Sequence, residues 1–399
     1  GSQLARKRAP SAKTATLGGT VAAVGTVGMF SGAELQGWMA VKNLSTDEFA
    51  EHETFTAVRE QNETRPQPCW ACSFAHCQDL TLRNGVHAGE TFREPEYEGM
   101  AAWGPKVGIT DPNMAVYLND LNDRLGMDLK EGGFIVAMAI EAYEKGILGP
   151  EQTDGLQLTW GNGSAVAELL RRIANRQGFG DVLAEGVYRA SQRIGHGAEQ
   201  LAVYTHRGNA PHSHDPRDMW GILFGQSVSD TGSIAGSVPD MMPDPTIGYQ
   251  EALAPFSVEG VPTSLAVAAP RYQFQDSIGV CNFLEGCDNA IMAGAVAAMT
   301  GFPIDEREMF LIGRRTHNLL RLFNLAHGWS PEQDLTLSPR LREPVPDGPN
   351  KGRTIADVYP QMVHSYYEAC GWDENGQPLP QTLAEVGLTD VGARLRKQQ

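Results

Sequence analysis

The sequence predicts a mainly α-helical chain of two domains. Three observations carry this. Long segments repeat apolar residues at three- and four-residue steps. Runs with strand character are few and short. No tandem repeat recurs at a period of about 20–50 residues. The 399 residues suffice for two or three domains with a large buried core.

The helical segments follow in order. FIVAMAIEAYEKGIL (134–148) is an apolar run whose wet side is marked by Glu141, Glu144 and Lys145, and Gly149-Pro150 stops it. AVAELLRRIANRQGFG (165–180) places Val166, Leu169, Leu170 and Ile173 on one face and ends at Gly178. DVLAEGVYRASQRIG (181–195) restarts behind Asp181, a residue type suited to capping. CDNAIMAGAVAAMTG (287–301) is rich in alanine and reads as a buried helix. DEREMFLIGRRTHNLLRLFNLAHG (305–328) returns to the three- and four-residue rhythm. HRGNAPHSHDPR (206–217) carries three histidines and two prolines and reads as a site-bearing loop. A boundary near 200 gives domains 16–200 and 201–399. Residues 1–15 open with Gly-Ser rather than Met and read as a tag remnant with a flexible tail.

Composition narrows the function classes. A formal net charge of −16 argues against nucleic acid and anionic membranes as partners. No apolar stretch approaches the ~20 residues of a membrane span. The segment from Arg6 to Phe30 imitates a signal peptide, but Gly18, Gly19, Gly25 and Gly28 break its apolar run. The six cysteines do not have the dense spacing of a disulfide scaffold, so a reducing, cytoplasmic setting is expected.

Two patterns carry chemistry. PCWACSFAHC (68–77) places Cys69, Cys72 and Cys77 on one short loop, a Cys-x2-Cys corner followed by a third thiol. Zinc would want a fourth ligand from Cys281, Cys287 or His76. An iron–sulfur cluster typically adds one remote cysteine. Free core thiols are the plain alternative. The second pattern is an echo: DRLGMD (123–128) and DSIGVC (276–281) share Asp-x-x-Gly. Each glycine can supply a positive φ, and each aspartate can accept hydrogen bonds from ligand N–H groups.

Taken in order, these stretches together with EPEYEGMAAWGP (94–105), LTWGNGSAVAELLRRIANRQGFGDVLAEGV and YYEACGWDENGQPLPQTLAEVGL resemble the second and third domains of the aldehyde:ferredoxin oxidoreductases, the tungsten-pterin enzymes. The resemblance covers nearly the whole chain. It implies a [4Fe-4S] cluster on Cys69, Cys72, Cys77 and Cys281. It implies two pterins held by Asp123 and Asp276, with Met127 and Val280 touching them through their backbone. Cys281 would then touch both cofactors. Glu98 and His214 match the active-site carboxylate and histidine. The implied reaction oxidises an aldehyde or related carbonyl to the acid at a tungsten or molybdenum bis-pterin, with a ferredoxin-like acceptor.

Each residue also has a plainer reading. Glu98 could be a surface charge, His214 a loop cap, and His212 could take its role. Asp123 could be a helix-surface charge. Asp215 and Arg217 could form a structural ion pair. His206, Cys287 and Cys370 read as structural.

Three departures from the family pattern stand out. The last cysteine gap is four residues rather than three, which makes the loop bulge or brings in His76. Tyr117 and Asp120 stand where some members have a Glu-x-x-His for a metal at a dimer interface. The family's N-terminal β base domain is not in this sequence, and three readings stay open: the sequence is a piece of a longer protein, a separate subunit supplies the base, or the first domain has been lost. Competing readings are an acyl-thioester reductase, an electron-transfer or structural subunit with a cluster and no pterin, and a zinc-stabilised helical scaffold. No cysteine lies between Glu98 and Ile109 to ligate the metal, which disfavours the first of these.

Overall fold

A computed structural model describes residues 24–70, 72, 76–205, 208–231, 253–281 and 288–396. The expected tail at 1–15, His206 and Cys287 lie outside the described residues. The chain divides into two compact units. One takes Gly19–Asp218 and recruits Leu337–Thr354; the other takes Met219–Thr336 and Ile355–Gln399. No helix among the described residues is long and apolar enough to cross a membrane.

The unit containing Gly19–Asp218 is helical around one small sheet. Its central helix, Leu129–Glu144, is capped by Asp128, whose Oδ1 accepts from the N–H groups of Lys130 (2.9 Å) and Glu131 (2.8 Å). Every residue from Gly132 to Ala142 is buried. Glu141 therefore belongs to the interior, not the wet side the sequence pattern assigned to it. Arg340 explains the exception, donating to Glu141 Oε1 at 2.8 Å. Burial alone would raise the Glu141 carboxyl, but Arg340, with Asn43 and Lys145, outweighs it and holds the group low.

Helix Pro112–Arg124 starts with Asp111 as cap and proline at its first position. Helix Gly163–Ala174 starts behind Asn162 and buries Val166, Leu169, Leu170 and Ile173, the face read from the sequence. Asp181 does not cap a helix. It lies inside Phe179–Leu183, and its carboxylate pairs with Arg176 at 2.8 Å. Gly178 and Gly186 precede the two short helices, with φ of 55° and 86°, a region open to glycine.

Three antiparallel strands, β1 (Glu63–Pro66), β2 (Gln78–Thr81) and β3 (Thr91–Arg93), pair in sequence order. Leu80 faces Phe92 across β2 and β3, and these two side chains are the sheet's buried ones. The β1–β2 connection is the cysteine loop.

In the other unit, helix Gly260–Ile278 packs along Glu306–Ala326 and Tyr359–Cys370. Gly313 lets the first two approach closely: a Cβ there would run into the Pro270 carbonyl. Asp305 caps Glu306–Ala326 by accepting from Glu308 N. Helix Asn289–Thr300 begins behind Asp288 and is only partly buried: Asn289, Met292 and Ala293 face inward, while Met299 is exposed. Its alanines follow from small-residue helix propensity rather than from enclosure.

Candidate active site

The short helix Tyr97–Trp103 presents Glu98 in its first turn. The segment Ser213–Asp215 reaches it because Met39 bridges His214 and Asp215 N–H donates to Trp38 C=O at 2.9 Å. His214 is held from two sides, with Tyr97 stacked on it (4.8 Å between centroids, 11°) and Trp38 edge-on at 4.8 Å.

Glu98 and His214, named from the sequence, meet directly. Glu98 Oε1 lies 3.0 Å from His214 Nε2 and 3.5 Å from His212 Nδ1. Its Oε2 accepts from Ser213 N–H at 2.6 Å. Burial pushes the Glu98 carboxyl up, but the two imidazoles and these hydrogen bonds outweigh it and hold the group well below the carboxylate range. Glu98 is thus ionised at neutral pH. Burial pushes His212 down to about 4, so it is neutral there. The Glu98 side chain keeps 22% of its surface open to solvent, against 9% for His214, so the acid is the more reachable of the pair.

Lys106 was not singled out by the sequence. It is fully buried; its Nζ sits 3.7 Å from the centre of the Phe134 ring and donates to Ser213 Oγ at 2.8 Å. Burial lowers Lys106 to about 7, with Glu98 opposing that shift. In the stretch WGPKVG a lysine between glycines resembles a loop charge, and the linear pattern gives no sign of enclosure.

The cysteine loop is closed at its base by Gln67 N–H donating to Cys77 C=O at 2.9 Å. Cys72 N–H donates to Cys69 C=O at 3.1 Å, which makes the Cys-x2-Cys corner one tight turn. Cys69 is exposed and Cys72 and Cys77 are half-buried; all three are free thiols. Burial pushes the Cys77 thiol up. His76 turns inward, with Nε2 at 2.9 Å from Glu96 Oε1 and 3.6 Å from Cys77 Sγ. The fourth residue of the long gap is thereby tucked against the protein.

Both Asp-x-x-Gly stretches are helix ends of one design. Gly126 N–H donates to Asp123 C=O (3.0 Å) and Met127 N–H to Asn122 C=O (3.3 Å). Gly279 N–H donates to Asp276 C=O (3.2 Å) and Val280 N–H to Gln275 C=O (3.1 Å). This is the Schellman pattern, with glycines at φ 70° and 67°. Each aspartate sits in the last turn, where the helix dipole disfavours a carboxylate. Burial pushes both carboxyls up. Met127 also lines a cavity of about 460 Å³ with Glu131, Tyr188, Arg189 and Asn209. Cys281 is exposed, one residue beyond the second cap.

Comparison with known proteins adds four findings. A family model described as aldehyde ferredoxin oxidoreductase, domains 2 & 3, matches residues 3–388. The tungsten-containing aldehyde ferredoxin oxidoreductase of Pyrococcus furiosus is 32% identical over 382 residues, covering 94% of this chain and 61% of that protein. The aliphatic sulfonate oxidoreductase, WOR-like subunit, of the same organism is 32% identical over 367 residues, covering 88% and 55%. The chain thus spans about three fifths of the length of these relatives. Among solved structures, the active site complex BamBC of benzoyl coenzyme A reductase shares the fold, with a TM-score of 0.74 at 19% identity over 91% of this chain and 59% of that one.

Proposed function

Because the chain belongs to the aldehyde ferredoxin oxidoreductase family, we propose that it is the cluster- and pterin-holding portion of a tungsten or molybdenum oxidoreductase acting on an aldehyde or related carbonyl. The observation that carries this reading is the Glu98–His214 pair, a carboxylate kept ionised inside the protein with 22% of its side-chain surface exposed. Cys69, Cys72, Cys77 and Cys281 would hold a [4Fe-4S] cluster. The free thiols on one closed loop fit that role. Asp123 and Asp276 would accept hydrogen bonds from pterin nitrogens, and the backbone of Met127 and Val280 would lie against the rings. The two carboxylates stand at helix C-termini, where an external N–H donor relieves their repulsion with the dipole. When bound, the metal–pterin supplies the two-electron redox step, and the cluster passes electrons singly to a ferredoxin-like acceptor.

The chain's own contribution is proton handling and positioning. Conversion of an aldehyde hydrate to the acid releases two electrons and two protons. Glu98 is the proton acceptor at the reacting carbon's hydroxyl. Its low proton affinity makes it a weak base alone, and His214, bonded to Oε1, shares the accepted proton. Ser213 N–H fixes the other carboxylate oxygen, and Lys106 fixes Ser213 through its hydroxyl.

The test is anaerobic purification with elemental analysis and a visible spectrum. About four irons per chain, with tungsten or molybdenum, are expected. Stoichiometric zinc without cluster absorbance would overturn the reading. Cys281→Ser should lose iron. Glu98→Gln should keep its metals and lower kcat by roughly 100-fold or more; wild-type turnover would remove Glu98 from the chemistry.

A further inference from the structure

Asp47, Asp215 and Asp218 bring one carboxylate oxygen each within 4.8 Å of one another. All three residues are buried, with 2%, 0% and 4% of their surface exposed. Asp215 is satisfied by Arg217, whose Nε and Nη2 grip its two oxygens at 3.0 and 2.5 Å. Asp47 and Asp218 are not: none of their side-chain oxygens receives a hydrogen bond of good geometry, and Asn350 stands beside Asp218. Three enclosed carboxylates, all ionised, would set three negative charges against one guanidinium, a state that burial makes costly. Two protons shared between the carboxyls would cancel the charge, and Asp47 lies within bonding reach of Asp215 and Asp218. A single hard cation cancels the charge and engages the oxygens together. At the 2.3–2.6 Å of calcium–oxygen bonds, ligand atoms on opposite sides of one ion lie up to about 5 Å apart, which the observed spread satisfies.

We propose that Asp47, Asp215 and Asp218 form a binding site for a hard divalent cation of the Ca2+ or Mg2+ class. The site locks the segment carrying His214 onto the turn at Lys42–Leu44. That turn holds three successive non-glycine residues at φ 41°, 58° and 62°, each in a region that disfavours L side chains. Arg217 Nη2 grips Leu44 C=O at 2.6 Å, and Arg340 Nη1 grips Asn43 C=O at 2.9 Å. Asp47 lies three residues past the strained turn, and Asp215 and Asp218 follow His214. One ion bound to all three joins the two stretches at the position where Met39 pairs with His214.

The proposal stands apart from the cluster and pterin reading, and its readouts are calcium, magnesium and melting temperature. The purified protein is stripped with EDTA and its unfolding followed with added Ca2+, Mg2+ or Mn2+. Stripping should lower the melting temperature, and one of these ions should restore it, saturating at one per chain by elemental analysis. Asp218→Asn should fold, as judged by circular dichroism, and lose that response. A wild-type protein indifferent to EDTA and to all three ions, with none of them bound stoichiometrically, overturns the site. Asp218→Asn melting above wild type under those conditions would assign the cluster to shared protons instead. If Asp218→Asn does not fold, the wild-type titration decides alone.

Discussion

Lys106 shows what single side chains contribute that a linear reading cannot. The sequence singled out Glu98 and His214 because PEYE and HDPR fall where a family pattern places them, and the fold brings the two within 3.0 Å. Lys106, in the same neighbourhood, carries no such mark. Its enclosure depends on Phe134 and Ser213, 28 and 107 positions away. With the folded value lowered to about 7 from an ordinary 10.5, Lys106 is neutral in the fold at alkaline pH while still charged in the unfolded chain. Such a group contributes its full stability above the unfolded value and loses it as pH falls through the folded one. Lys106→Met is therefore expected to melt above wild type near pH 7, with the gap narrowing by up to ~1.4 kcal/mol per pH unit toward pH 10. A gap that does not change with pH between about 7 and 10 would refute the shifted titration.

The Asp-x-x-Gly stretches belong to the scale of the element. Their spacing is explained without any ligand, since a Schellman end needs a residue of positive φ three positions after the carbonyl it bonds. What the cap does not explain is the aspartate, because lysine, asparagine or serine would suit a helix C-terminus better. Asp123→Asn should stabilise the metal-free protein by about 0.3–1 kcal/mol, read by denaturant unfolding, while lowering pterin content. A destabilised Asp123→Asn protein would mean that the carboxylate serves the local structure. The cysteine loop gains its meaning at this scale too. Of the four residues between Cys72 and Cys77, His76 is drawn inward to Glu96, and Arg59 donates to the His76 carbonyl.

On the scale of the whole molecule, the chain does not divide once. Leu337–Thr354 returns to the unit built from Gly19–Asp218, and Arg340 is one of the residues that tie it there, with Ser338 and Asp347. Its guanidinium bonds Glu141 on the central helix and the carbonyl of Asn43, joining segments 199 and 297 residues away. Arg340→Met leaves Glu141 buried with Asn43 and Lys145 as partners. It should cost about 3–5 kcal/mol by chemical denaturation, and Arg340→Met with Glu141→Leu should recover much of that. Additive losses in the double variant would show that the pair is not coupled. In the other unit, Arg321 plays a like part, bonded to Asp334 at 2.9 Å and set over the ring of Trp329 at 3.7 Å.

The sequence by itself determined the helical class, the apolar face of Gly163–Ala174, the cysteine loop, the paired Asp-x-x-Gly spacing and the family. All of these are local: a periodicity, a spacing or a conformational need is written within a few neighbouring residues. Tertiary structure alone decided that Glu141 lies inside, that Asp181 caps nothing, that Lys106 is enclosed beside Glu98, and that Asp47 meets Asp215 and Asp218. Each of those is a matter of which distant group neutralises a charge. A carboxylate or ammonium group is written the same way in sequence whether water or a partner 200 residues away will surround it.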